Sequence, residues 1–135
     1  MKTIKAIVIL TVILLFSQSL NAQPNENEKI KTVVENCFKS LTNDNEGVVE
    51  SAIFVSIQFK NRFPEESDNI FVSALNDLAI NSRNAKISYK AQLAKIYFEN
   101  TELFKDIQIK SIYDDQKVYE QISEKLNSVV LASDF

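Results

Sequence analysis

The chain has 135 residues and a formal net charge of −3, with no histidine, one glycine and one cysteine. Without histidine it lacks Ser-His-Asp and Cys-His catalytic groups, imidazole acid–base chemistry and most zinc sites. One glycine cannot form a glycine-rich phosphate-binding loop, and one cysteine can form neither an internal disulfide nor a thiolate cluster. We therefore expect a non-catalytic protein without cofactor or metal.

The N-terminal segment, residues 1–22, has the three parts of a secretory signal peptide. Lys2 and Lys5 give a positive start, residues 6–16 form an apolar run, and a short polar segment ends at Ala22. The apolar run is about half of the roughly 20 residues that a membrane span requires, so we expect cleavage after Ala22. The predicted product is exported, to the periplasm or outside the cell, and has no membrane span after cleavage.

The remaining chain is acidic. Removing the two signal-peptide lysines from a total of −3 leaves −5 for residues 23–135, with the charges interspersed and no basic run. This distribution predicts that the protein does not bind nucleic acid. Residues 23–28 are polar and predict a flexible leader, and residues 29–131 predict a single α-helical domain.

The first predicted helix extends from about Glu28 to Leu41. Its apolar residues recur at the three- and four-residue spacing of an amphipathic helix. They are Ile30, Val33, Val34, Cys37, Phe38 and Leu41. Burial in this stripe predicts an unreactive core cysteine at position 37. A polar connector follows over residues 42–47, in which Asn43 or Asp44 can cap the next helix.

The second predicted helix covers residues 47–61 and is apolar on most of its sides, which is typical of a helix buried among neighbours. The alternation of Ile53, Val55 and Ile57 would also suit a strand. Helix is favoured because the run is long for a strand and because residues 86–100 repeat it with better helix-forming residues.

The later elements are also predicted to be helical. The third helix starts at a turn containing Pro64, and its apolar stripe begins at Phe71. The fourth, at about 85–100, has two apolar faces and is expected to lie between layers. A short fifth helix covers about 101–107, residues 108–113 are expected to form a loop, and a sixth helix, capped by Asp114 or Asp115, runs to about Val130.

The second and fourth helices repeat each other. Ala52 matches Ala91, and Phe59 matches Phe98. The first and third helices match in a similar register. A period of about 40 residues over about 30–100 resembles HEAT or armadillo helical repeats. The basic residue usual early in the second helix of a repeat is replaced by Val49 and Ser88. The resemblance implies antiparallel helix pairs in a short right-handed stack; the alternative is a closed five- or six-helix bundle.

Few polar residues stand out as candidates for chemistry. The acidic residues near two helix starts suit a carboxylate pair or calcium, but helix N-termini favour acidic residues without any ligand, so we favour that explanation. They are Glu65, Glu66, Asp68, Asp114 and Asp115. Tyr89 and Tyr97 could stack a ligand, although their spacing with Leu93 more simply predicts packing.

These patterns predict a helical module that binds a protein or peptide partner outside the cytoplasm. The alternative is a small enzyme or ligand carrier with a site between helices. The alignment of the second and fourth helices places apolar residues of the second helix where the fourth helix has a polar, solvent-facing side. Apolar residues on such a side predict a surface that a partner covers. Its residues are Val49, Ile53, Lys60, Gln92 and Lys95. The other possibility is that another segment covers Val49 and Ile53.

Overall fold

The computed structural model describes residues 25–66 and 68–134, and within these ranges it contains helices and no strand. The predicted all-α class is confirmed. The predicted signal peptide and residues 23 and 24 lie outside the described residues. There are five α-helices in the described chain, with one short 3₁₀-helix before the last: α1 Glu26–Leu41, α2 Glu46–Arg62, α3 Asp68–Asn81, α4 Ala85–Glu99, the 3₁₀-helix Thr101–Phe104 and α5 Asp115–Ser133.

The chain divides into two compact units, and the boundary falls inside α1, between residues 33 and 34. The described part of the first unit is residues 25–33. It is helical from Glu26, so residues 26–28, predicted as leader, belong to a helix. The second unit contains the rest of α1 and every later helix of the described chain.

The apolar stripe of α1 is only partly buried. Val34, Cys37 and Leu41 are buried, whereas Val33 and Phe38 are 46% and 39% exposed. At roughly 100° per residue the stripe spans about 140° of the helix surface, with the two exposed residues at its opposite edges. The buried central line faces α2, since the Cys37 thiol lies 3.7 Å from the Ala52 carbonyl oxygen.

The starts of α2 and α4 are capped by asparagines in the same way. The Asn45 side chain accepts hydrogen bonds from the backbone N–H groups of Gly47 and Val48, and Asn84 accepts from those of Lys86 and Ile87. These contacts satisfy donors that the first turn of a helix leaves unpaired. In the sequence alignment of α2 with α4, the two capping residues, Asn45 and Asn84, occupy equivalent positions. Asn43, one of two predicted caps, instead accepts from the Asn45 N–H at 2.8 Å.

Helix α4 lies at the centre of the second unit, where it packs against α2, α3, α5 and the 3₁₀-helix. The prediction that this helix lies between layers is confirmed. Phe71 of α3 packs edge-on against Phe59 of α2 and Phe98 of α4, with ring centroids 5.6 and 5.8 Å apart. Tyr97 stacks on Phe104 at 5.5 Å. Buried aromatic side chains therefore fill the space between these helices.

One predicted helix start is displaced, and one predicted side-chain cap does not form. Pro64 lies in a turn, and α3 begins at Asp68 rather than beside the proline. Asp114 precedes α5 but does not cap it with its side chain. Its carboxylate accepts from the backbone N–H groups of Lys110 and Ser111, at 3.3 and 3.0 Å. Asp114 therefore stabilises the loop that was predicted over residues 108–113.

Candidate functional site

The five residues predicted as a partner surface do not share an exposed face. Val49, Ile53 and Lys60 are 4%, 0% and 2% exposed, whereas Gln92 is exposed and Lys95 partly so. Of the two possibilities that the sequence leaves open, the structure shows that Val49 and Ile53 are covered. A surface built on them is wrong for this fold, because residues buried to this degree cannot meet a partner.

Lys60 is buried because its ammonium group has polar and aromatic neighbours inside the protein. It donates a hydrogen bond to the carbonyl of Pro64 and lies 6.0 Å from the centroid of the Phe98 ring. A buried charge requires such compensation. The lysine thus links the end of α2 to the turn that follows it.

An ion-pair network joins α2, α4 and α5 on another side of the second unit. One carboxylate oxygen of Glu50 accepts from the ammonium groups of Lys86 and Lys90, at 2.7 and 2.6 Å. Lys90 also reaches Asp115 at 3.4 Å, and its side chain is only 11% exposed. The hydrogen bonds from Lys86 and then Lys90 lower the pKa of Glu50, so the carboxylate is charged near neutral pH.

Tyr119 lies beside this network on α5. The Lys90 ammonium group is 4.9 Å from the centroid of its ring, and the Phe54 ring is 6.3 Å away. Its hydroxyl group is buried and has no hydrogen-bond partner among the described residues. Burial, followed by the charges of Asp115 and Glu50, raises its pKa, so the side chain keeps its proton. Tyr119 thus has an unused donor and acceptor.

A cleft of about 460 Å³ separates the first two turns of α4 from α5 and is open at the surface, since Lys86 and Tyr89 line it and are well exposed. We call it the α4/α5 cleft. Its walls are formed by Lys86, Tyr89, Lys90, Asp115, Gln116, Tyr119, Glu120, Ser123 and Glu124. A second cleft, of about 340 Å³, shares Asp115 and is lined by more apolar residues, among them Phe54, Val55 and Ile112.

The remaining sequence candidates have local roles. Glu65 and Glu66 are exposed in the turn before α3. Cys37 is 5% exposed, and burial raises its pKa to about 11, which keeps the thiol protonated. Tyr97 is buried and its hydroxyl accepts from the Asn61 amide at 2.9 Å, so it packs as expected. Tyr89, by contrast, is 54% exposed and lines the α4/α5 cleft.

In the part of the chain that the structure describes, no three acidic or cysteine side chains converge as a metal site would require. No described helix has the length and apolar character needed to cross a membrane. No family model, curated protein or solved structure matches the chain. The resemblance to HEAT and armadillo repeats stays a prediction.

Proposed function

We propose that this chain is an exported, non-catalytic helical module that binds a peptide segment of a partner protein in the α4/α5 cleft. The observation that carries the proposal is the contrast between the interior and this cleft. Buried aromatic side chains fill the space between α2, α3 and α4, while the cleft opens to solvent between two helices that a charged network holds in place.

The open shape of the cleft favours a peptide over a small molecule. Its volume of about 460 Å³ is within the range of small-ligand sites, but such sites enclose most of their ligand. Here the α4 wall is open to solvent, since Tyr89 and the Lys86 side chain are 54% and 64% exposed. A peptide segment that lies along an open cleft fits this exposure better than an enclosed ligand.

Export is the second part of the proposal and is tested separately. It rests on the signal-like sequence of residues 1–22. Mass spectrometry of the protein recovered outside the cytoplasm should give a product that begins at or near Gln23. A product that retains Met1 would contradict export by cleavage of this segment.

Peptide binding is tested by placing a photo-activated cross-linking residue at position 89, in the cleft. The matched control is the same residue at position 80, since Ile80 is 70% exposed and does not line the cleft. Cross-linking in the native compartment should couple the position-89 protein to a defined peptide segment of one partner, and the control should not couple to it. Equal cross-linking from both positions would refute the cleft as the binding site.

A further inference from the structure

The two walls of the α4/α5 cleft differ in how their charges are compensated. On the α4 wall, Lys86 and Lys90 are both paired with Glu50. On the α5 wall, Glu120 and Glu124 have no cationic partner among the described residues, and Glu120 accepts only from the Gln116 amide at 2.9 Å. Like charges four residues apart on a helix repel each other. The α5 wall therefore has two carboxylates that a cation from outside would stabilise.

The rest of the cleft also suits a cation attached to a peptide. Tyr89 faces the α5 wall closely enough for its hydroxyl to lie 3.4 Å from that of Ser123, and more than half of its surface is exposed. The faces of aromatic rings attract ammonium and guanidinium groups. A cation between Tyr89 and the two glutamates would meet a ring on one side and carboxylates on the other.

Tyr119 supplies an independent reason to expect a ligand in this cleft. The residue lines the cleft and is 5% exposed, yet its hydroxyl has no hydrogen-bond partner among the described residues. A buried polar group without a partner is unfavourable, and a ligand that pairs with it gains affinity. A peptide carbonyl that displaced the atoms covering this neutral O–H group would be a suitable acceptor.

We infer that the α4/α5 cleft recognises a basic peptide segment, with a Lys or Arg side chain between Tyr89 and the carboxylates of Glu120 and Glu124, and a backbone carbonyl accepting from Tyr119. The inference rests on the proposed function and specifies the chemistry of its partner. The charge of −5 over residues 23–135 agrees with it, since a net negative charge speeds association with a positive segment.

The test measures binding of three probes to the purified protein by fluorescence anisotropy. The probes are a labelled nonapeptide alternating alanine and arginine, the same peptide with glutamate in place of arginine, and labelled spermine. The arginine peptide should bind most tightly, because it alone supplies both the cation and the carbonyl groups. Equal binding of the arginine and glutamate peptides, or no binding of the arginine peptide, would overturn the inference. Tighter binding of spermine would instead identify the site as one for a free polyamine.

Variants locate the binding on the protein. Replacing both Glu120 and Glu124 by glutamine should weaken arginine-peptide binding about tenfold or more, the usual effect of losing a charge-assisted contact. The control carries the same charge change at Glu99 and Glu102, which do not line the cleft. An equal loss in test and control would mean that only net charge attracts the peptide, and the inference would be refuted.

A third variant separates recognition from folding. Tyr119→Phe removes only the hydroxyl group, so it should weaken peptide binding severalfold without lowering the melting temperature. Unchanged affinity would exclude the carbonyl contact. The inference and the proposed function can fail separately: cross-linking of a partner at position 89 together with no preference for arginine would retain peptide binding and remove only its basic specificity.

Discussion

Two buried tyrosines allow a paired test of hydrogen bonding in the protein interior. Tyr97 and Tyr119 are 2% and 5% exposed, and each packs against another aromatic ring. They differ in their hydroxyl groups. That of Tyr97 accepts from the Asn61 amide at 2.9 Å, whereas that of Tyr119 has no partner among the described residues. The same substitution, tyrosine to phenylalanine, should therefore have opposite effects at the two positions.

The expected magnitudes follow from these contacts. A hydrogen bond within a protein contributes about 1 kcal/mol, so Tyr97→Phe should lower the free energy of unfolding by about that amount. A buried polar group without a partner costs about 1–3 kcal/mol. Tyr119→Phe should recover about 1 kcal/mol of this, since removing the oxygen also leaves a small void. For a domain of about 100 residues, 1 kcal/mol corresponds to roughly 4–8 °C in melting temperature.

The assay is urea unfolding followed by far-UV circular dichroism, with both variants and the parent protein measured in one buffer. The urea midpoints of the two variants should move in opposite directions from that of the parent. The free energies of unfolding of the two variants should differ by about 2 kcal/mol. If Tyr119→Phe destabilises the protein as much as Tyr97→Phe does, the Tyr119 hydroxyl has a partner within the protein. The Tyr119 hydroxyl would then need no ligand to complete its hydrogen bonding.

Three further predictions concern charge, reactivity and packing. Hydrogen bonds from Lys86 and Lys90 place the folded-state pKa of Glu50 below its usual 4.5. The stabilising contribution of the Glu50 carboxylate is therefore complete above its unfolded-state pKa and is lost as the pH falls through its folded-state pKa. Between about pH 5 and pH 3, the free energy of unfolding should fall less in Glu50→Gln than in the parent or in the exposed Glu102→Gln control. Cys37 should react with a thiol reagent only after denaturant is added, because burial raises its pKa to about 11; rapid labelling of the native protein would contradict its placement. Ile53→Asp should unfold the protein, since the side chain is fully buried, whereas Gln92→Asp should leave the circular dichroism spectrum unchanged; a folded Ile53→Asp variant would restore the predicted surface.

The helices could be predicted because the three- and four-residue spacing of apolar side chains is visible within a single stretch of sequence. The central position of α4 also followed from its two apolar faces. Cap positions were harder to predict, since Asn43, Asp44 and Asn45 all have side chains that can cap a helix. Backbone geometry selects Asn45, and a clue was present in the sequence: the alignment that relates α2 to α4 also places Asn45 on Asn84.

The candidate site was not predictable in the same way, because its residues come together only in the folded chain. Glu50 and Lys90 are 40 residues apart, and Lys90 and Asp115 are 25 apart, so no local spacing marks them. Glu120 and Glu124 share a helix face, but that pattern is also typical of ordinary solvent-exposed surface. The burial of Val49 and Ile53 was likewise undecided by the sequence, since it depends on which neighbours cover α2.

The most direct test of the account is an NMR titration of the isotope-labelled protein with the alternating alanine–arginine peptide. We predict chemical-shift changes concentrated at Tyr89, Tyr119, Glu120, Ser123 and Glu124, and almost none along α3. Changes centred instead on Val55 and Ile112, in the second cleft, or spread over the whole acidic surface, would contradict the assignment of peptide binding to the α4/α5 cleft.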